Sequence, residues 1–206
     1  MAKATTEREA KKQAKEADRR QPLVAATENI IKNKGLAAVK ARDVADAAGV
    51  GLGSVYYNRD LDDLILEANA NTLTRLEKAL GNGSKGAPAT RLVAMAEAYL
   101  QFADENTLSW KALFEHKLPP GKALPEWYLG HQLRLFDKVD DALREISPEL
   151  SRSQSAALAR TIFSAVHGVV MLGLEEKLGI VPPKSLRQQL KILISALVSG
   201  LSKEAG

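Results

Sequence analysis

Lys40, Arg42, Ser54, Tyr57, Asn58 and Arg59 fall within one twenty-residue stretch. Their cationic, hydroxyl and amide side chains are the ones that hydrogen-bond to phosphate oxygens. Between them stand Leu52 and Gly53. A leucine methyl can pack on the methyl of thymine, and a glycine lets the backbone come close to a base edge. Phosphate contacts supply affinity and base contacts supply specificity, so the stretch is a candidate surface for double-stranded DNA. Residues 51–57 hold no Arg or Lys. Direct base readout should therefore be modest, with help from DNA shape and from Arg19 or Arg20, for which a purely solvated role stays equally open.

Catalysis has little to work with. His116, His131 and His167 show no HxxxH spacing, and there is no nucleophile elbow and no phosphate-binding P-loop. Cysteine is absent, which excludes disulfides and thiolate metal sites. No catalytic residue, metal site or cofactor is expected. An all-helical enzyme is one rival reading, and a non-specific nucleic-acid or protein-interaction module without a ligand is another.

The elements that must position the candidate surface are helical. Pro22 to Lys34 reads as a helix with Leu23, Ala26, Ile30 and Ile31 on its apolar face, and Gly35 can end it. Ala41 to Ala48 fits an amphipathic helix with Val44, Ala45 and Ala48 inward. Gly49-Val50 is a turn, and Gly51 to Tyr57 a short third helix, with Tyr56 expected in the core beside Leu52 and Val55. Two short helices joined by a glycine-containing turn form a helix-turn-helix, whose second helix enters the major groove.

The charge supports this placement. Residues 1–60 hold 12 Lys and Arg against 8 Asp and Glu, so the whole net charge of +4 lies there; the remainder is neutral, as a nucleic-acid-binding head on a neutral body would be. Residues 1–20 read as a flexible charged arm, 21–66 as the DNA-binding domain, and 67–206 as a ligand-binding and dimerisation domain. Helical patterns follow at about 61–80, 89–104, 107–117, 123–146, 151–178 and 185–201, punctuated by residues 81–88, Pro119-Pro120-Gly121, Pro148 and Pro182-Pro183. Ser151 with Gln154, and Ser185 with Gln188, read as capping boxes. The fold class is all-α, with about nine helices.

Residues 155–174 are the most apolar stretch, but it carries Arg160 and His167, so it reads as a buried helix and not a membrane span. The N-terminus lacks the apolar run of a secretory signal, and a cytoplasmic protein is expected. Ile162, Val166, Val169 and Gly173 form one stripe, and Leu190, Leu193 and Leu197 another. Two copies of such helices could make a four-helix dimer interface, and a homodimer is expected, because one helix-turn-helix reads too few bases to be selective alone. Tyr99, Phe102, Trp110, Phe114, Trp127, Tyr128, His131 and His167 are candidates to line an apolar small-molecule pocket with a few polar tips.

The run Gly35, Arg42-Asp43-Val44-Ala45, Ala48-Gly49-Val50 and Gly53-Ser54-Val55-Tyr56-Tyr57 resembles the DNA-binding domain of TetR/AcrR-type transcriptional regulators. The resemblance covers residues 20–66 and implies an all-α homodimer, most often a repressor released from a palindromic operator by a small hydrophobic effector. An activator of the same fold stays open. Gly51 stands where that family usually has a capping Ser or Thr. Asn58-Arg59-Asp60-Leu61 is about one residue short and lacks the family's phosphate-contacting Lys at the start of the next helix, a role Arg59 could take. Asp60, Asp62 and Asp63 suit a helix N-terminus, but would repel DNA if they faced it.

Overall fold

In a computed structural model, residues 19–57, 60–81, 86–175 and 181–204 are described. The expected arm up to residue 18, Asn58, Arg59 and residues 82–85 of the breaker lie outside them. The described residues are helical throughout, with no strand among them. In chain order they form α1 (19–34), a 3-10 turn (Leu36–Ala38), α2 (Ala41–Ala47), α3 (Gly53–Tyr56), α4 (Leu61–Gly81), α5 (Pro88–Glu105), α6 (Thr107–Glu115), α7 (Glu126–Ile146), α8 (Arg152–Gly173) and α9 (Pro183–Glu204). Arg19 and Arg20, expected in the arm, are helical, and Arg20 Nε donates to Glu67 Oε1 at 2.5 Å.

The chain forms two compact units. One runs to Thr72 and includes Leu108–Leu124; the other holds Leu73–Thr107 and everything from Pro125 onward. The boundary expected at residue 66 thus lies within α4, and α6 belongs with the first helices.

In the first unit, Leu23, Val24, Ala26 and Ile30 of α1 pack with Val44, Ala45, Val55 and Leu64 in one core. The spacing on α1 is that of a helix face. Ile31 joins Ala68 and Ala112 in an adjoining cluster. Thr27, fully buried, donates its hydroxyl to the Leu23 carbonyl, and Asn69 donates to the Ala112 carbonyl at 3.2 Å. These buried polar groups are thereby satisfied locally.

In the second unit α5 packs on α9 and α7, α7 on α8, and α8 on α9. Ser151 caps α8 as expected: its side chain accepts from the Gln154 backbone, and Gln154 Oε1 accepts from the Ser151 backbone at 2.9 Å. The second expected box is corrected. Helix α9 starts at Pro183, so Ser185 lies inside it, and the Ser185 and Leu186 N–H groups donate to the Pro182 carbonyl. Proline lacks the N–H that a first-turn residue would leave unpaired, which suits Pro183 to open the helix.

The expectation that residues 155–174 are buried holds for one face only. Ile162, Val166 and Val170 are buried, while Leu172 is 60% exposed. By length and composition α8 could also cross a membrane, a test that apolar helices of soluble proteins pass as well. Ile162, Val166, Gly173 and Leu190, expected at a dimer interface, are buried within the chain; Val169, Leu193 and Leu197 are half-buried. A methyl group on Gly173 would collide with Leu186 of α9. Gly173→Val should therefore lower stability by about 1–3 kcal/mol through overpacking, measured by urea denaturation, while Gly168→Ala, with open space around it, should cost far less.

Candidate functional site

The helix-turn-helix is built around small side chains and one glycine. Val44 and Ala45 on α2 and Val55 on α3 are almost wholly buried. Gly49 has φ +67°, a left-handed conformation that costs a side-chain-bearing residue energy. The Gly49 N–H donates to the Asp46 carbonyl and that of Val50 to the Ala45 carbonyl, which closes the turn.

Helix α3 is shorter than the expected 51–57. Leu52 is its N-cap, no side chain caps it, and Tyr57 leaves it with φ −70° and ψ 104°. The first bonds run from the Ser54 N–H to the Gly51 carbonyl and from the Val55 N–H to the Leu52 carbonyl. Leu52, whose side chain cannot accept a hydrogen bond, stands at the N-cap, so the N–H groups at the helix start gain no side-chain cap.

Lys40, Arg42, Leu52, Gly53, Ser54 and Tyr57 all reach solvent, Leu52 at 43% exposure and Tyr57 at 68%. Beyond its chain neighbours and its own helix backbone, no described atom lies within 4 Å of where a Cβ on Gly53 would sit, so its backbone is open to a close approach. Tyr56 was expected in the core; it is 58% exposed. A single turn places only one of its four residues against the core, and Val55 takes that position. Tyr56 thus joins the solvent face, which could have been inferred from its adjacency to Val55. Asn58 and Arg59 lie outside the described residues.

The acidic start of α4 is internally compensated. The Asp63 N–H donates to Asp60 Oδ1 at 3.0 Å, and the Asp60 N–H to Asp63 Oδ2 at 3.3 Å. Lys122 Nζ reaches Asp60 Oδ1 and Oδ2 at 2.8 and 2.7 Å and Asp63 Oδ1 at 3.2 Å. His116 Nε2 lies 2.9 Å from Asp62 Oδ1. The hydrogen bond from Lys122 holds the Asp60 carboxyl below its ordinary range. Burial pulls the Lys122 ammonium down, but its bonds to Asp60 and Asp63 outweigh this and raise it.

The second unit holds an apolar cavity of about 40 Å³. Its wall includes Leu76 and Leu80 of α4, Met95 and Tyr99 of α5, Phe136 of α7 and Phe163 of α8. Tyr99 Oη and His167 Nδ1 are 2.8 Å apart. Phe163 stacks on His167 with centroids 5.7 Å apart, and Tyr99 and Phe136 meet Phe163 edge-on. Burial pushes the His167 imidazole below its ordinary pKa, so the ring stays neutral near pH 7.

Of the eight pocket candidates, Tyr99 lines this cavity and His167 bonds to it. Phe102 and Tyr128 are buried without lining it. Trp110 and Phe114 belong to the first unit, where they meet edge-on. Trp127 is 40% exposed and meets Tyr128 and His131 edge-on. His131 Nδ1 accepts from Arg134 at 2.6 Å and lies 3.3 Å from the Thr74 hydroxyl; burial and the Arg134 charge lower its pKa. The lining residues Leu76, Leu80, Leu92, Leu135 and Ile194 were not singled out, because an apolar residue at helical spacing reads the same whether it fills a core or walls a cavity.

Two measurements test these sites. Lys40→Ala and Arg42→Ala should each weaken DNA binding about equally for all sequences and reduce the slope of log K against log salt by roughly 0.9 per lost phosphate contact; an unchanged slope would remove that residue from the interface. His167 binds a proton more weakly folded than unfolded, so stability is full above its ordinary value of 6.5 and falls as pH drops below it. Melting temperature should decline between pH 7 and pH 5, and more steeply than in His167→Gln.

Comparison with known proteins places this arrangement. Residues 92–197 match the family model described as tetracyclin repressor-like, C-terminal domain. A solved structure of a protein of unknown function from Rhodococcus sp. RHA1 is 20% identical with a TM-score of 0.70, covering 89% of this chain and 95% of that one. A TetR-family transcriptional regulator from Streptomyces coelicolor is 18% identical with a TM-score of 0.66, covering 92% and 86%. The TetR family transcriptional regulator PfmR from Thermus thermophilus is 16% identical with a TM-score of 0.59, covering 85% and 93%. Comparison with curated sequences gives no significant match.

Proposed function

Because the chain belongs to the TetR family of transcriptional regulators, and so to regulators and not enzymes, we propose that it is a cytoplasmic, homodimeric repressor released from a palindromic operator by a small neutral lipophile. The observation that carries the DNA-binding part is the contrast between Val44, Ala45 and Val55, buried together, and Lys40, Arg42, Leu52, Ser54 and Tyr57, which reach solvent on the same motif. One fixed turn thereby presents phosphate donors and an apolar contact side by side.

Dimerisation is supported by apolar side chains left in water on α8 and α9. Leu172 and Ile192 are 60% and 59% exposed, and Val169, Leu193 and Leu197 are half-buried on the same two helices. Ile162, Val166, Gly173 and Leu190 would support this face from beneath instead of touching the partner. A second copy would remove the exposed side chains from water, and its symmetry would mirror a palindrome.

The cavity supports the effector class. Its wall holds no charged side chain, and Tyr99 is the polar residue in it. An ionised ligand buried there would lack a partner, at a cost of several kcal/mol. Drug-sized ligands need roughly 300 Å³ or more, so an effector must part the helices around a cavity of about 40 Å³. Helix α4 supplies Leu76 and Leu80 to that wall and Leu64 to the head core, so the displacement would act on a helix that also packs in the DNA-binding unit. Release would be as strong as the effector's preference for the displaced state.

Selection from a random duplex pool at near-physiological salt should recover a palindrome with half-sites about 10 base pairs apart, or a multiple of that; failure to enrich any motif would defeat the reading. Ala96→Val, which takes up part of the cavity without parting its walls, should weaken release by a lipophile while leaving affinity for the selected duplex within about twofold, the size expected of a change remote from the contacts.

A further inference from the structure

The segment after α6 has a structural purpose that the DNA-binding surface alone does not account for. Pro119 to Lys122 forms a tight turn: the Lys122 N–H donates to the Pro119 carbonyl at 3.1 Å, and Gly121 has φ +84°. Positive φ at the third residue is what a type II turn requires, and Pro120 supplies the fixed φ its second residue prefers. The turn directs Lys122 onto both Asp60 and Asp63, while His116, just past the end of α6, engages Asp62. All three carboxylates at the start of α4 are therefore partnered from one segment.

Their place in the chain makes this consequential. Asp60 stands three residues after the exposed Tyr57. Three residues span at most about 11 Å, close to the Debye length of about 8 Å at physiological salt. Uncompensated carboxylates there would be felt by DNA phosphates docked on α3. Two stabilising roles conflict at this point: acids favour a helix N-terminus, and the same charge opposes a polyanion.

We propose that Lys122 is a charge-compensating residue for DNA binding, which offsets part of the negative charge of Asp60 and Asp63 at the start of α4 without itself touching DNA. The proposal rests on the reading of the α2–α3 surface as the DNA interface. It separates Lys122 from Lys40 and Arg42: those would bind phosphate directly, whereas Lys122 matters only while Asp60 and Asp63 are charged.

The test is a mutant cycle on the full-length protein, read by fluorescence anisotropy with the duplex that the unaltered chain selects from a random pool. Lys122→Met should weaken binding by roughly three- to tenfold, the effect of one uncompensated carboxylate about 10 Å from a phosphate at an effective dielectric between those of a protein surface and water. In the Asp60→Asn/Asp63→Asn background, which keeps side-chain acceptors for the helix N–H groups, the same change should cost less than about twofold. That background alone should bind at least as tightly as the unaltered chain. Lys122→Arg should retain affinity, and Gly121→Ala, which puts a side chain at φ +84°, should weaken it in the same direction. Equal loss in both backgrounds would make Lys122 a direct phosphate contact and overturn the proposal, as would no loss in either. Should Lys122→Met melt below the assay temperature, the Asp60→Asn/Asp63→Asn protein decides: weaker binding than the unaltered chain overturns the proposal, and equal or tighter binding supports it. If the unaltered chain selects no duplex, the DNA reading itself falls and takes this one with it; if it selects one and the cycle shows no coupling, only the compensation is lost.

Discussion

The burial of Val55 is the contact on which the helix-turn-helix surface depends. Isolated helices shorter than about 12 residues are marginal in water, and α3 has four residues and no side-chain cap. Its geometry is therefore borrowed. Val55 at 1% exposure meets Val44 and Ala45 of α2, Leu64 of α4, and the apolar face of α1. With Val55 fixed, the neighbours at 52, 53, 54, 56 and 57 have no inward position left, and they face solvent. Gly49 completes the constraint, since the turn that brings α2 and α3 together passes through a left-handed residue.

The second unit follows a different logic. Its long helices α5, α7, α8 and α9 bury stripes against each other, and parts of the faces that remain are as apolar as those they hide. Leu172 and Ile192 stand in water while Ile162 and Ile194, on the same helices, are buried. Within the unit sits a cavity walled by hydrocarbon, with the Tyr99–His167 pair as its polar feature. A neutral, partly buried imidazole bonded to a phenol can tolerate apolar surroundings that an imidazolium could not.

Much of this was legible in the sequence, and the limits have physical causes. Helix spacing located all nine helices among the described residues, because amphipathic periodicity is a property of the chain itself. The Ser151 box was readable since a Ser and a Gln three apart cap each other locally; the Ser185 box misled because Pro183, two residues earlier, already opened the helix. Tyr56 was misplaced because α3 buries Val55 alone and leaves both Leu52 and Tyr56 in water. Stripes on α8 and α9 were visible, but periodicity could not say whether Ile162 and Leu190 face their own chain or another, which depends on where α5 and α7 lie. Trp110 and Phe114 clustered in sequence with pocket candidates, yet α6 folds with the first unit, a tertiary assignment that no local pattern encodes. Lys122 carried no signal at all, because Asp60 stands 62 residues before it.

An interface anchored by a single inward side chain separates folding from recognition. Leu52, Gly53, Ser54, Tyr56 and Tyr57 contribute little to the core, so exchanging them leaves Val55 and its neighbours intact, and surface changes of this kind usually alter stability by no more than about 0.5 kcal/mol. On the proposed reading of this surface, duplicated copies of such a chain could drift to new DNA sequences by a few substitutions at a time, each intermediate remaining a folded protein. On the same reading, Leu52, Gly53, Ser54 and Tyr57 would be the positions at which to reprogramme target choice in the laboratory.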